Sequence, residues 1–237
     1  MAKKYRERFK TMNDVFDEFT LRNLFVLSSK GFFDEESLRP LSIGKESNVF
    51  TARKDDERVV VKIYRLETAD FKKMYEYIKP DPRYEHLAKD KRETVFAWSQ
   101  REYRNLLAAR RAMVRAPLPI TFMKNILVMS LVGGERPAQK VKDAIPDDPK
   151  EFFDGVIANM RKFYLSGFVH GDLSKFNILN YEGSPVLIDF SQASPLKSPD
   201  SVMMLKRDIH NVGDFFSRLG VKVDEEKLYS RITKVKK

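Results

Sequence analysis

The chain has 237 residues, with 44 Lys and Arg against 34 Asp and Glu for a formal net charge of +10; hydrophobic residues make up 42% and cysteine is absent. This length fits one large domain or two lobes, and the apolar content excludes a disordered chain, while the missing cysteine excludes disulfides, thiolate metal sites and cysteine nucleophiles. The basic balance favours phosphate-bearing partners, nucleotide or nucleic acid, although unclustered charge is more often simply a solvated surface.

Residues 1–10 carry Lys3, Lys4, Arg6, Arg8 and Lys10 with no apolar stretch behind them. No signal peptide is expected, and no apolar run approaches the ~18 residues of a membrane span, so a soluble, cytoplasmic protein is expected. From Asn13 the pattern predicts a helix, with Asn13 as cap, Asp14 and Asp17 in its first turn, and Val15, Phe16, Phe19, Leu24 and Leu27 on its apolar face. Gly31 ends it, and Phe32 and Phe33 dock on the next unit.

Leu41–Phe50 and Arg58–Tyr64 read as strands around the polar turn Lys54-Asp55-Asp56-Glu57. Gly44 at the bend suits a flap whose backbone N–H groups face phosphate, though one glycine in a strand more often marks a bulge. Lys62, at the end of Val59-Val60-Val61-Lys62, resembles the strand lysine that holds α- and β-phosphates. A lysine in so apolar a strand needs an anion beside it, unless the strand is an edge from which it reaches solvent. Thr94–Met113 reads as a long helix, and Glu102, within its apolar-periodic part, is preferred over Glu93 as the ion-pair partner. Between them, residues 66–91 are charged and aromatic, with Pro80 and Pro82 limiting regular structure, and are expected to be a mobile loop near the site.

Leu118–Leu131 reads as two strands around Lys124-Asn125, leaving the sheet through Gly133-Gly134, where a connection between lobes would lie. Backbone groups of Ser130 and Val132 could meet an adenine edge, with Met129 lining the back of the pocket; a plain strand ending in a Gly-Gly turn fits as well. Asp148–Ser166 reads as a helix burying Phe152, Phe153, Val156, Ile157, Met160 and Phe163, closed by Gly167.

The stretch it delivers, Val169–Asn180, carries the chemistry. Asp172 and Asn177 are five apart, the spacing of the kinase catalytic loop, where the Asp receives the substrate hydroxyl proton and the Asn holds metal. A hairpin through Ile178–Tyr181 and Pro185–Ile188 brings Asp189 back beside Asn177, giving an oxygen-rich pocket for Mg²⁺ with few protein ligands. The alternative is a buried loop whose Asp and Asn only satisfy backbone groups. After Asp189 only 48 residues remain. A helix over about 202–219 and a basic final helix fill them, too little for the peptide-docking segment of a large protein kinase, and no Ala-Pro-Glu follows.

Gly44-Lys45-Glu46-Ser47-Asn48-Val49, His170–Asn177, Ile188-Asp189-Phe190-Ser191-Gln192 and Arg207–Val212 together resemble the RIO family of atypical serine/threonine protein kinases, over about residues 12–220. The long loop with Phe71-Lys72-Lys73-Met74, and a helical extension in place of a winged helix, resemble its first branch. The resemblance implies an α+β, two-lobed protein-kinase-like fold: a basic arm and N-terminal helical extension (1–39), an antiparallel β-sheet N-lobe (40–132, with the flexible insertion about 66–91) and a reduced helical C-lobe (133–237). It implies Asp172 as catalytic acid/base, Asn177 and Asp189 as metal ligands, Lys62 on the α/β-phosphates, and Glu102 orienting it. Ser42, Gly44, Lys45, Glu46 and Asn48 would form the phosphate flap.

The family further suggests ATP with Mg²⁺ (Mn²⁺ as an option), Asp189 accepting the γ-phosphoryl as an aspartyl-phosphate, and ATPase activity. It suggests a protein Ser/Thr substrate or the chain itself, and work in small ribosomal subunit maturation on pre-ribosomal RNA. Gly171, where most protein kinases have Arg, argues for constitutive activity. Phe190-Ser191, in place of Phe-Gly, argues against a flipping metal loop. Two other functions stay open: a small-molecule phosphotransferase of the aminoglycoside or choline type, and a nucleotide-switched RNA-binding assembly factor with little kinase activity.

Overall fold

The computed structural model describes residues 16–134 and 136–234. Its first element is helix α1 (Glu18–Ser29), capped by Asp17, whose Oδ1 accepts the Thr20 N–H at 3.0 Å. The helix therefore starts later than expected; Asn13 and Val15 lie outside the described residues. An Asp at the cap satisfies an otherwise orphaned N–H, which is why the boundary falls there.

Strands β1 (Asp34–Ile43), β2 (Ser47–Lys54), β3 (Glu57–Tyr64), β4 (Pro119–Met123) and β5 (Ile126–Ser130) form one antiparallel sheet in the order β1-β2-β3-β5-β4. β1 begins at Asp34, well before the expected Leu41, so one strand crosses residue 40. Side chains alternate across the sheet. Val59, Val61 and Ile63 of β3, with Ile126 and Val128 of β5, face a core shared with Leu24 and Leu27 of α1 and with Phe33 and Phe50. Val60, Leu127 and Met129 face the larger core on the other side. Lys62 falls on that inner side by its place between Val61 and Ile63.

The insertion differs from its expected irregularity. It holds helix α2 (Phe71–Ile78), capped by Asp70, then a short 3-10 turn at Pro82–Tyr84. Met74 and Ile78, one turn apart, are buried in a cluster with Tyr84 and Trp98. The prolines sit after the helix and start the turn instead of breaking it. Helix α3 (Lys91–Arg111), capped by Asp90, crosses the inner side of the sheet.

Beyond β5 come the short strand β6 (Gln139–Lys140), helix α4 (Pro149–Leu165), capped by Asp148, and strand β7 (Phe168–Val169). Then follow the hairpin β8 (Ile178–Tyr181) and β9 (Ser184–Leu187), β10 (Ser194–Pro195), and helices α5 (Ser201–Ser217) and α6 (Glu225–Thr233). Phe152, Phe153, Phe163, Phe190 and Phe216 fill this helical half. Among the described residues, no helix is long and apolar enough to cross a membrane.

Candidate functional site

The β8–β9 hairpin positions the acidic centre. Its register pairs Ile178 with Leu187, and the Ile188 N–H donates to the Asn177 carbonyl at 3.0 Å, setting Asp189 beside Asn177. Asp189 has φ +62°, a left-handed backbone that a non-glycine residue adopts at a cost of about 1–2 kcal/mol. Its carboxylate is held from two sides: the Lys62 ammonium at 3.1 Å and the Ser191 hydroxyl, donating at 2.7 Å.

Lys62 is 6% exposed and lies 2.9 Å from Glu102 Oε1. The structure thus brings Glu102, not Glu93, to Lys62; Glu93 sits exposed in the first turn of α3. Tyr64, one pleat on from Lys62 on the same face, donates its hydroxyl to the other Glu102 oxygen. Burial works against the Lys62 charge, but Asp189 and Glu102 outweigh it and raise its pKa. Burial pushes Glu102 up, against the pull of Lys62. For Asp189, burial alone would raise the pKa, yet Lys62 and Ser191 hold the carboxyl down at about 2, so it is ionised.

Asp172 behaves differently. Burial, then the nearby Asp189 charge, push it up to about 6, while Arg207 and Lys73 pull less strongly the other way. Two carboxylates in one cleft therefore have separated acidities, the arrangement in which one serves as proton acceptor and the other as a fixed anion. Asn177 Nδ2 donates to the Asp172 carbonyl at 2.8 Å, leaving Oδ1 as the amide's acceptor atom.

The loop carrying Asp172 is held by a residue that the sequence reading assigned no role. Asp208 of α5, fully buried, accepts the Gly171 N–H at 2.7 Å and the Leu173 N–H at 2.8 Å. Arg207 donates to the Gly171 carbonyl. Burial raises Asp208 to about 7 in spite of the two N–H donors. The signal was present: Leu205, Asp208, Ile209 and Val212 have the spacing of one helix face, so an acid sits among apolar neighbours and must find donors. A second network was also missed. Arg101, with no exposure, meets Asp81 at 3.2 Å and donates to the Ser191 carbonyl and Ser194 hydroxyl; Asn105 donates to the carbonyls of Phe190 and Ala193.

The flap departs from its expected form. The Gly44 N–H donates to the Ser47 carbonyl at 3.0 Å, closing the turn on itself; the carbonyls of Lys45 and Glu46 accept from Thr68 and Arg65. A Cβ on Gly44 would meet the Ser47 oxygen at 2.9 Å, so the tight turn needs glycine. Ser42 pairs with Val49, which pairs with Lys62, and so shares the Lys62 face. Asn48 pairs with Ile63 and is turned to the other face, where it is buried at 1% exposure with an unpartnered Oδ1. The register thus separates Asn48 from the phosphate-flap set, because neighbouring residues on a strand point to opposite faces. At the far end of β5, Met129 is buried. The Ser130 N–H is committed to the Leu118 carbonyl, so it is not available to an adenine edge; the Val132 N–H has no backbone partner among the described residues.

Among the described residues, no group of three or more His, Asp or Glu side chains is arranged to hold a metal. The ionised Asp189 carboxylate with the Asn177 amide oxygen is a hard-oxygen donor pair that fits Mg²⁺, which completes its shell with water and substrate phosphate.

The antiparallel sheet, the helical half and the Lys62–Glu102–Asp189 cluster define a protein-kinase-like fold. A RIO-domain family profile matches residues 48–228. The chain is 39% identical over 235 residues to the RIO-type serine/threonine-protein kinase Rio1 of Haloferax volcanii, covering 98% of this chain and 81% of that protein. It is 40% identical over 233 residues to the Rio1 of Methanocaldococcus jannaschii, covering 98% and 80%. The crystal structure of the Rio2 kinase–ADP/Mg²⁺–phosphoaspartate complex from Chaetomium thermophilum superposes with a TM-score of 0.67 at 21% identity, covering 90% of this chain and 66% of that one. The chain belongs to the RIO family, in its Rio1-like branch, and is a RIO-type kinase.

Proposed function

We propose that this chain binds ATP with Mg²⁺ in the cleft between β3 and the β8–β9 hairpin and transfers the γ-phosphoryl group to a serine or threonine hydroxyl of a protein substrate or of itself. The observation that carries this reading is the meeting of Lys62, Glu102 and Asp189 within 3.1 Å, beside an Asp172 whose acidity is set apart. Lys62, paired with Glu102, is oriented to neutralise the α- and β-phosphates. Asp172, at about 6, is ionised at neutral pH yet basic enough to take the proton of an attacking hydroxyl. Asn177 and Asp189 are the residues that would hold the metal. When bound, Mg²⁺ neutralises phosphate charge as the bond to the leaving oxygen breaks; Mn²⁺ would meet the same oxygen donors.

The ionised Asp189 also supports a second route. Its carboxylate oxygen attacks the γ-phosphorus, the bond to the bridging oxygen of ADP breaks, and water later hydrolyses the acyl phosphate, for a net ATPase reaction. The phosphoaspartate in the Rio2 structure, which belongs to that protein, makes this route worth testing. The family resemblance suggests action in maturation of the small ribosomal subunit and on its precursor RNA, in the cytoplasm, and the +10 charge fits a phosphate-rich partner of that kind.

Incubation with γ-labelled ATP, followed by partition of label among free phosphate, hydroxyl ester and hydroxylamine-labile protein adduct, tests both routes. Asp172→Ala should lower transfer by roughly 10²–10⁴ with nucleotide affinity little changed. Unchanged turnover overturns the role of Asp172; label found only in free phosphate overturns the protein-kinase route.

A further inference from the structure

Two relays run from the insertion, across helix α3, to the segment that follows Asp189. Asp81, buried at 1% exposure just beyond α2, accepts from Arg101 Nε through Oδ2 at 3.2 Å. Arg101, itself without exposure, donates Nη1 to the Ser191 carbonyl at 2.8 Å and Nη2 to the Ser194 hydroxyl at 2.7 Å. In the second relay Arg83 donates Nη2 to Asn105 Oδ1 at 2.9 Å. That bond turns the amide so that Nδ2 donates to the carbonyls of Phe190 and Ala193, at 2.9 and 2.8 Å. Arg101 and Asn105 stand one turn apart on α3, so a single helix face grips residues 190, 191, 193 and 194. Asp81 and Arg83 are also bound to each other, with Nε at 2.9 Å from Oδ1 and Nη2 at 2.6 Å from Oδ2, so both relays begin from one joined pair.

What this grip acts on is Asp189. Its left-handed backbone, φ +62°, persists only where the surroundings fix it. The Ser191 hydroxyl donates to Asp189 Oδ1 at 2.7 Å, and the carbonyl of the same serine is held by Arg101. The Arg101 fork serves three separate partners, a reach that the single ammonium of a lysine lacks. A guanidinium so buried also needs a counter-charge, and among the described residues Asp81 is the only carboxylate it meets. We propose that Asp81 is a positioning residue: through Arg101 it holds the 190–194 segment and thereby sets the Asp189 carboxylate for Mg²⁺. This role rests on the reading of Asp189 and Asn177 as the metal pair. It makes the insertion a support of the metal site, reached through α3.

The test uses the full chain and ADP, titrated by calorimetry with Mg²⁺ and again in excess chelator; the ratio of the two affinities isolates the metal's contribution. Asp81→Asn should lower this ratio about tenfold, the usual size for a partner one step removed from a metal ligand, with affinity in chelator shifted by less than about twofold. If Asp81→Asn melts early, Arg83→Gln, at a partly exposed position that feeds both relays, carries the same comparison. Leu27→Ala, in the core between α1 and the sheet, removes packing without touching either relay and should leave the ratio unchanged. Asp189→Asn should lower it at least as far as Asp81→Asn. A ratio lowered in Asp189→Asn but not in the relay variant overturns the positioning role alone. A ratio unchanged in Asp189→Asn overturns the metal reading and this role with it. Equal loss in Leu27→Ala reduces the effect to lost stability and overturns the role as well.

Discussion

Lys62 and Asp189 stand 127 positions apart in the chain and meet at 3.1 Å, with Glu102 on the other side of the same ammonium. The buried carboxylate is tolerable only while that cation is present. Lys62→Ala leaves Glu102, at 1% exposure, without its counter-charge, and should cost about 3–5 kcal/mol of stability together with nucleotide binding. The double change Lys62→Met, Glu102→Gln should recover most of the stability and none of the turnover. Urea unfolding and nucleotide titration of the two variants check this; recovered turnover in the double variant would contradict the phosphate role of Lys62.

Turnover should rise with pH through about 6, where Asp172 loses its proton, because a base must be ionised to accept one. Below that point kcat should fall about tenfold per pH unit. A kcat profile flat between pH 5 and 7.5, at about constant stability, would remove Asp172 from proton transfer.

His170 is buried against Phe190 and donates to or accepts from no charged group; burial lowers its pKa from 6.5 to about 4. The unfolded chain takes up a proton below 6.5 that the folded chain refuses. The stability from this group is therefore complete above pH 6.5 and lost as pH falls through 4, about 3 kcal/mol in all. Unfolding free energies of the natural chain and of His170→Gln, measured at both ends of this window, should diverge by that amount, the natural chain losing more.

Asp208→Ala orphans two buried N–H groups, those of Gly171 and Leu173, at about 1–3 kcal/mol each, and releases the loop that carries Asp172. It should lower kcat as well as stability, although Asp208 touches no substrate. Asp208→Asn, with one acceptor left, should fall between. Loss of stability with kcat unchanged in the folded fraction would show that the loop keeps its shape unaided.

Much of this was legible in the sequence because short-range rules carried it. The Asp172–Asn177 spacing, the hairpin turn at Glu182-Gly183, and Lys62 closing a run of valines are all local. Asp148 is a local signal too, beginning its helix by side-chain capping, whereas Asp90 caps a helix that starts at Lys91, three residues ahead of the expected Thr94. What escaped depends on register or on distant partners. Asn48 differs from Val49 only in pleat parity, and one position decides which face of the sheet it meets. The Asp81–Arg101 contact joins an insertion to a helix, and the helix in that insertion hid behind its prolines. Ser130 was offered to a ligand, but a hydrogen bond to Leu118 across the β4–β5 edge had already taken its N–H.

Helix α1 is tied to the sheet by more than apolar contact. Asn125, fully buried in the β4–β5 turn, donates both to the Thr20 hydroxyl at 2.9 Å and to the Tyr64 carbonyl at 2.8 Å. Tyr64 in turn touches Glu102. An expression fragment trimmed to start at the first strand would lay bare a greasy patch of Val59, Val61, Ile63 and Val128 and would leave the asparagine amide without one of its acceptors. Such a fragment should clump in the test tube. The opening helix is in this sense a backplate for the sheet, covering its outer apolar face.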